Sequence, residues 1–176
     1  MPVIIAILLI LLFIILIIYN NLIKKRNAVK QSRSSINVYL TQRFDLIPNL
    51  VECVKGYAKH EKKTFSTIAN LRTQYDKTKD LDQASELNSQ INNLILLAEN
   101  YPDLKASANF LNLQKNLTKI EDQLQAARRI YNMDVTIFNT SIQTFPCNII
   151  ASLFRFREEK LFNLDPSAKE NVKIEI

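Results

Sequence analysis

An unbroken run of sixteen apolar residues, 3–18, stands near the N-terminus of this 176-residue chain and restricts how the chain can fold. Counted through Tyr19 and Asn20, the run would extend about 27 Å as a helix, just enough to cross the hydrocarbon core of a bilayer. Because backbone amides in lipid need partners within their own segment, the run must be helical. The sequence therefore predicts a membrane anchor over residues 1–20.

A cleaved secretory signal is the alternative interpretation of this run. Such a signal has a positive charge before the apolar stretch and small residues at a cleavage site after it. Met1 and Pro2 carry no side-chain charge, and the residues directly after the run, YNNLI, are not small. Both observations favour a retained anchor.

Basic residues follow the run closely, whereas no lysine or arginine precedes it. They are Lys24, Lys25, Arg26, Lys30 and Arg33. Cationic flanks stay on the cytoplasmic side of a membrane, so we expect a single-pass protein of the cell membrane with its N-terminus outside and its body in the cytoplasm. The same cluster could rest on anionic lipid, but the simpler interpretation is that it sets the topology.

The composition of residues 21–176 favours helices. Gly56 is the single glycine of the chain, and hairpin turns in a sheet-rich fold need more. The net charge of +6 is interspersed with acidic residues, so we expect no nucleic-acid partner. Cys53 and Cys147 lack metal-ligand spacing, and in a cytoplasmic body they are expected to be reduced core residues.

Apolar residues recur every seven positions after the anchor, as on a helix face that packs against other helices. One stripe is Leu40, Ile47, Val54, Ile68 and Tyr75, and its neighbour is Ile36, Leu50, Tyr57 and Leu71. Pro48 interrupts them and predicts either a kink or a new helix capped by Asp45. The stripes keep their phase across Pro48, which favours the kink. A capping role nevertheless remains the simplest structural interpretation of Asp45.

Further helices are predicted beyond a polar turn at residues 76–82. A shorter helix carries Leu87, Ile91, Leu94, Ile95 and Ala98, and it ends at residues 100–103, where Asp103 can cap the next helix. That helix is long and carries Phe110, Leu117, Leu124, Tyr131, Phe138 and Phe145, with Leu113, Ile120 and Ala127 beside them, up to Pro146.

Residues 145–162 mix apolar and basic residues, and they predict either a fourth packing helix or an amphipathic helix on the membrane. Packing is favoured because the exposed stripes need a partner. The sequence thus predicts an all-α fold, in which an N-terminal transmembrane helix precedes an up-and-down bundle of about four long antiparallel helices. The predicted domains are an anchor (1–20), a cytoplasmic bundle (21–165) and a short tail (166–176).

Catalytic and metal-binding motifs are missing from the sequence. His60-Glu61 could begin a zinc-protease signature, but that signature needs a second histidine where Thr64 stands, and His60 is the single histidine. No glycine-rich phosphate loop occurs, and both cysteines have apolar neighbours that would not activate a thiol. We therefore expect no enzyme activity, no cofactor and no metal.

Charged residues stand at some positions of the apolar stripes, namely Arg43, Glu61 and Asp134. Charges facing a bundle seam are costly unless they are paired. The favoured interpretation is that ion pairs fix the register of the helices. The alternative is a polar pocket or a partner surface.

Several segments together resemble the LemA family of bacterial membrane-anchored helical proteins. The most specific are residues 43–52 (RFDLIPNLVE) and 99–106 (ENYPDLKA), and the others include residues 54–61 (VKGYAKHE) and 127–132 (ARRIYN). Where the family usually has tryptophan and aspartate, this chain has Arg33 and Asn37. The resemblance implies an N-out anchor with a cytoplasmic helical bundle, and it supplies no activity.

The sequence favours a membrane-anchored, non-enzymatic scaffold or adaptor for other envelope or membrane proteins. The alternative function is membrane-surface binding or remodelling by the bundle and the amphipathic segment 145–162. Expected partners are membrane lipid along residues 3–20 and other membrane proteins, and self-association is left open. The candidate contact and motif residues are Arg43, Asp45, Pro48, Asn49, Glu52, Gly56, His60, Glu61, Asn100, Tyr101, Pro102, Asp103, Arg128, Arg129, Tyr131 and Asn132.

Overall fold

A computed structural model describes residues 1–58 and 62–162, and these residues form helices and turns without a β-strand. The four long helices of this described part are α1 (Pro2–Asp45), α3 (Lys62–Thr78), α4 (Leu81–Glu99) and α6 (Ala108–Gln143). The short ones are α2 (Ile47–Lys55), α5 (Pro102–Lys105) and α7 (Cys147–Leu153). The predicted all-α helical bundle is confirmed. The predicted tail, 166–176, lies outside the described residues.

The chain divides into two compact units. Unit 1 contains residues 1–36 and, of the described chain, residues 126–162. Unit 2 contains residues 37–125, of which 59–61 lie outside the described residues. The predicted boundary between anchor and bundle at residue 20 remains a prediction.

In unit 1, the first part of α1 runs antiparallel to the last part of α6. The ammonium group of Lys25 donates to the hydroxyl oxygen of Ser141 across 2.5 Å, whereas Arg33, farther along α1, acts electrostatically on Tyr131, which lies earlier in α6. The buried apolar side chains of this unit are Leu22, Val29, Ile36, Ala127, Tyr131, Val135, Phe138, Ile142, Ile150 and Ala151. The apolar run is exposed except at Ile15 and Ile18, which are half-buried, so its side chains suit lipid rather than a protein core.

In unit 2, the predicted apolar stripes form the core. Both stripes are buried from Leu40 to Tyr75 except at Tyr57, which is 45% exposed. The rings of Phe44 and Tyr75 meet edge to face, with their centroids 4.8 Å apart. Helix α3 packs against α4. In the turn between them, Lys79 has a φ of 50°. The heptad pattern therefore predicted this core well, with Tyr57 as its exception.

The break near Pro48 is a single residue wide. Leu46 separates α1 from α2, yet it keeps right-handed helical dihedrals, and its carbonyl accepts from the amide of Leu50. Pro48 lies in the first turn of α2, where a missing amide hydrogen costs little. The expectation that Asp45 caps this helix is wrong, because Leu46 holds the cap position and no side chain caps it.

Three further expectations are corrected by the structure. Asp103 does not cap the next helix, because Tyr101 is the cap residue of α5 and Asp103 lies within its first turn. The cysteines Cys53 and Cys147 are free but half-buried, so they are not core residues. The long helix α6 ends at Gln143, so Phe145 falls outside it and is 75% exposed.

Residues 145–162 do not form one helix. The short helix α7 ends at Leu153, Arg155 has a φ of 56°, and residues 156–162 continue without helical structure. The expected packing is nevertheless present, since Ile150 and Ala151 are buried. Beyond the helix, the ring of Phe156 packs near those of Tyr19 and Phe138.

Candidate functional site

Arg43 is a buried charge that is paired inside unit 2. Its guanidinium forms an ion pair with Glu121 of α6 and donates to the side-chain oxygen of Asn92 of α4 across 2.9 Å. Its side chain is only 6% exposed. This arrangement joins three helices at one point, and it matches the interpretation that stripe charges fix register. Glu61, the second such charge, lies outside the described residues, as does His60.

The exposed ion pair of Asp45 and Arg72 marks the edge of a groove on unit 2. Their charged atoms lie 3.1 Å apart. Pro48, Val51 and Phe65 line the groove together with Arg72, and its volume is about 360 Å³. Asp45 therefore links α1 to α3, a role that the sequence did not predict.

A polar cleft of about 530 Å³ opens on the surface of unit 2. Helix α2 supplies Asn49 and Glu52, two of the predicted candidates, together with the half-buried thiol of Cys53. Helix α6 supplies three exposed asparagines. They are Asn109, Asn112 and Asn116. The cleft therefore presents several amide groups and one carboxylate to solvent.

The remaining unit 2 candidates lie at helix ends. Asn100 and Pro102 are exposed, and Tyr101 is half-buried with extended dihedrals that begin α5. Gly56 ends α2 in a right-handed helical conformation, and an added Cβ would meet only the carbonyl oxygen of Cys53 at 3.8 Å. Neither space nor dihedral angle requires glycine at that position. These residues shape turns rather than line the cleft.

In unit 1, the candidates Tyr131 and Asn132 hold the non-helical segment 156–162, here called the strap. The amide group of Asn132 donates to the carbonyl of Phe162 across 3.1 Å and accepts from its backbone amide across 2.8 Å. Asn139, which was not among the candidate contact residues, does the same with Glu159. The Tyr131 hydroxyl donates to the carbonyl of Lys160 across 2.9 Å.

The spacing of residues along the helix and along the strap explains why Asn132 and Asn139 fit Phe162 and Glu159. Asn132 and Asn139 lie seven residues apart, which is about 10.5 Å along a helix. Glu159 and Phe162 lie three residues apart, or about 10 Å along an extended chain. Each asparagine can therefore satisfy the backbone of one strap residue as a neighbouring strand would. The seven-residue spacing was visible in the sequence, but the backbone it holds was not.

Charges and rings add to the contact with the strap. The guanidinium of Arg128 stacks over the ring of Phe162 at 4.9 Å, whereas Arg129 is exposed. Burial raises the pKa of the Tyr131 hydroxyl, with Arg33 opposing this effect and Glu159 adding to it. The candidates of residues 128–132 thus act mainly in holding the chain to itself.

The described residues offer no group of three or more histidine, cysteine, aspartate or glutamate side chains that could hold a metal ion. The unit 2 cleft has one carboxylate and no histidine among its lining residues. Amide groups bind backbone groups and other polar partners through paired donors and acceptors. The cleft therefore presents groups that can donate and accept hydrogen bonds.

The sequence profile of the LemA family matches residues 32–176. This chain belongs to the LemA family. Protein LemA of Metamycoplasma hominis is 29% identical over an alignment of 165 residues, with 86% of this chain and 75% of that protein covered. The magnetosome proteins MamQ 2 and MamQ 1 of Paramagnetospirillum magneticum are each 21% identical over 179 residues, with 85% of this chain and 66% of each relative covered.

The LemA-family match confirms the resemblance drawn from the sequence motifs. It begins at residue 32, beyond the apolar run, so the anchor is argued from its own residues. Among the helices of the described chain, α1 is long enough and apolar enough to cross a membrane. Together these findings support a membrane-associated LemA-family protein.

Proposed function

We propose that this chain is a single-pass, N-out membrane scaffold whose unit 2 cleft holds other membrane or envelope proteins. The cleft is the observation that carries the proposal. Its amides and the Glu52 carboxylate are exposed and face one space, and they belong to a chain that an apolar helix can tether. The proposal assigns no catalytic step and no cofactor to this chain.

The spacing of the cleft asparagines suggests which partner chemistry fits. Asn109 and Asn116 lie seven residues apart on α6, the same spacing as Asn132 and Asn139. The latter pair binds an extended backbone at two residues about 10 Å apart. We therefore expect the cleft to bind an extended segment of a partner protein, with Glu52 beside it to accept from a basic or amide donor.

The orientation of the scaffold rests on the basic residues just after the apolar run. Cationic flanks are retained in the cytoplasm, so the proposal puts unit 2 and the part of unit 1 beyond residue 20 there. Partners would then be cytoplasmic segments of other membrane proteins.

Photocrosslinking in intact membranes tests the scaffold. A photoreactive amino acid replaces Asn112 in the cleft, and a matched chain carries it at Asn93, an exposed asparagine of α4 outside the cleft. The proposal expects a discrete protein adduct at position 112 that is lost when Asn109→Ala and Asn116→Ala are added. Equal adducts at both positions, or none at position 112, would refute it.

A further inference from the structure

An exposed apolar face lies at the C-terminal end of unit 1. Ile149 and Leu153 are four residues apart on α7, so they share one face, and they are 58% and 69% exposed. Phe145, just before the helix, is 75% exposed. On the other face, Ile150 is buried. The helix α7 thus packs through one side and leaves large apolar side chains on the other.

This face lies where the apolar run of α1 ends. The ring of Phe154, the residue after α7, lies 4.7 Å from the ring of Tyr19, centroid to centroid. Lys25 bonds to Ser141 and the two helices are antiparallel, so the end of α6 at Gln143 is level with the residues between Tyr19 and Lys25. If residues 3–18 span a bilayer, α7 is therefore at the membrane surface.

Aromatic and basic side chains lie close to the point where the apolar run ends. The guanidinium of Arg26 stacks over the ring of Phe156 at 5.2 Å, and the latter ring lies 6.1 Å from that of Tyr19. The cations close in sequence to these residues are Lys24, Lys25, Arg26, Arg155 and Arg157, and the acids are Glu158 and Glu159. The Glu158 carboxylate accepts from the amide of Gln143 across 2.7 Å. Positive charge exceeds negative charge at this level.

We propose that α7 is a second membrane contact, in which Phe145, Ile149 and Leu153 insert at the boundary between headgroups and acyl chains. The occupant of this face is anionic phospholipid. Two observations favour lipid over protein: the face continues directly from the span at Tyr19, and its surrounding charge is positive. This inference is independent of what the unit 2 cleft binds.

Quenching of a fluorescent probe in the full chain tests this contact. In a background with Cys53→Ser and Cys147→Ser, an environment-sensitive probe is attached at Ile149→Cys or Leu153→Cys. The matched control is Ile130→Cys, which is 52% exposed on α6 and stands eleven residues before Ser141, about 16 Å along the helix. The protein is reconstituted in vesicles of phosphatidylcholine with and without phosphatidylglycerol.

We expect a blue-shifted emission and loss of fluorescence to lipid-borne nitroxide at positions 149 and 153, stronger with phosphatidylglycerol, whereas position 130 responds to aqueous iodide instead. Quenching of all three by iodide alone would overturn the proposal. Protection of positions 149 and 153 from both quenchers would mean that polypeptide covers α7, which also overturns it. If the covering polypeptide is a second copy of this chain, dilution of the protein in the bilayer would reduce the protection.

Discussion

Arg43 and Glu121 join α1 to α6 inside unit 2, with 6% and 29% of their side chains exposed. Removing the cation leaves a poorly solvated carboxylate. We expect Arg43→Met to lower the free energy of unfolding by roughly 2–3 kcal/mol, below the usual value for a fully buried pair because Glu121 keeps some solvent. Thermal unfolding followed by circular dichroism in detergent measures this loss.

The control for this prediction is the exposed pair of Arg72 and Asp45, whose aspartate side chain is 62% exposed. Arg72→Met should cost no more than about 1 kcal/mol. The double variant Arg43→Met with Glu121→Leu should recover most of the stability, because no unpaired charge remains. Equal losses for Arg43→Met and Arg72→Met would contradict the interpretation that the buried pair fixes register.

The strap depends on two asparagines, and its release is measurable at single amides. Asn139→Ala removes both hydrogen bonds to Glu159, each contributing about 1 kcal/mol, so hydrogen exchange at that amide should accelerate roughly tenfold or more. Gln143→Ala is the matched control, because it removes only a bond to the exposed Glu158 side chain. Unchanged exchange in the Asn139 variant would show that other contacts hold the strap.

The sequence predicted the buried core of the fold better than the connections between its helices. The seven-residue stripes predicted the buried positions, because burial follows helical periodicity directly. The prediction that Tyr57 is buried was wrong because Tyr57 lies just beyond the end of α2, where the helical periodicity no longer applies. Asp45 and Asp103 failed as caps because the chain broke one or two residues away from them.

The candidate site was predictable only in part, for a related physical reason. Asn49 and Glu52 were singled out, but the cleft also needs Asn109 and Asn116, which lie about sixty residues away in sequence and reach the cleft through packing. The strap was missed because residues 154–162 contain no proline or glycine to stop a helix. Tertiary contacts overrode local preference there.

High pH should destabilise unit 2 through Tyr75. Burial raises the pKa of its hydroxyl above 10.0, with Thr41 opposing this effect and Asp76 adding to it. The stability contributed by the neutral hydroxyl is therefore complete below pH 10.0 and is lost as the pH rises through the folded pKa. The melting temperature should fall above that pH, and Tyr75→Phe should reduce the fall. Tyr57→Phe, at an exposed position, should leave it unchanged.

The native cysteines report the topology. Cys53 and Cys147 are free and half-buried, so both should react with maleimides, slowly and without unfolding. In intact cells, a membrane-permeant maleimide should label both and an impermeant one neither, because the proposed orientation puts both cysteines in the cytoplasm. Lysis should make both reactive to the impermeant reagent. Labelling of intact cells by that reagent would reverse the proposed orientation.

The retained anchor is the central claim, and the mass of the chain in carbonate-washed membranes tests it most directly. Alkaline carbonate removes proteins that only rest on a membrane, whereas an apolar helix that spans the bilayer stays. We predict that mass spectrometry of the washed membrane pellet finds a chain that still includes residues 3–20. A chain shortened by that run, or one recovered only in the carbonate supernatant, would contradict the account.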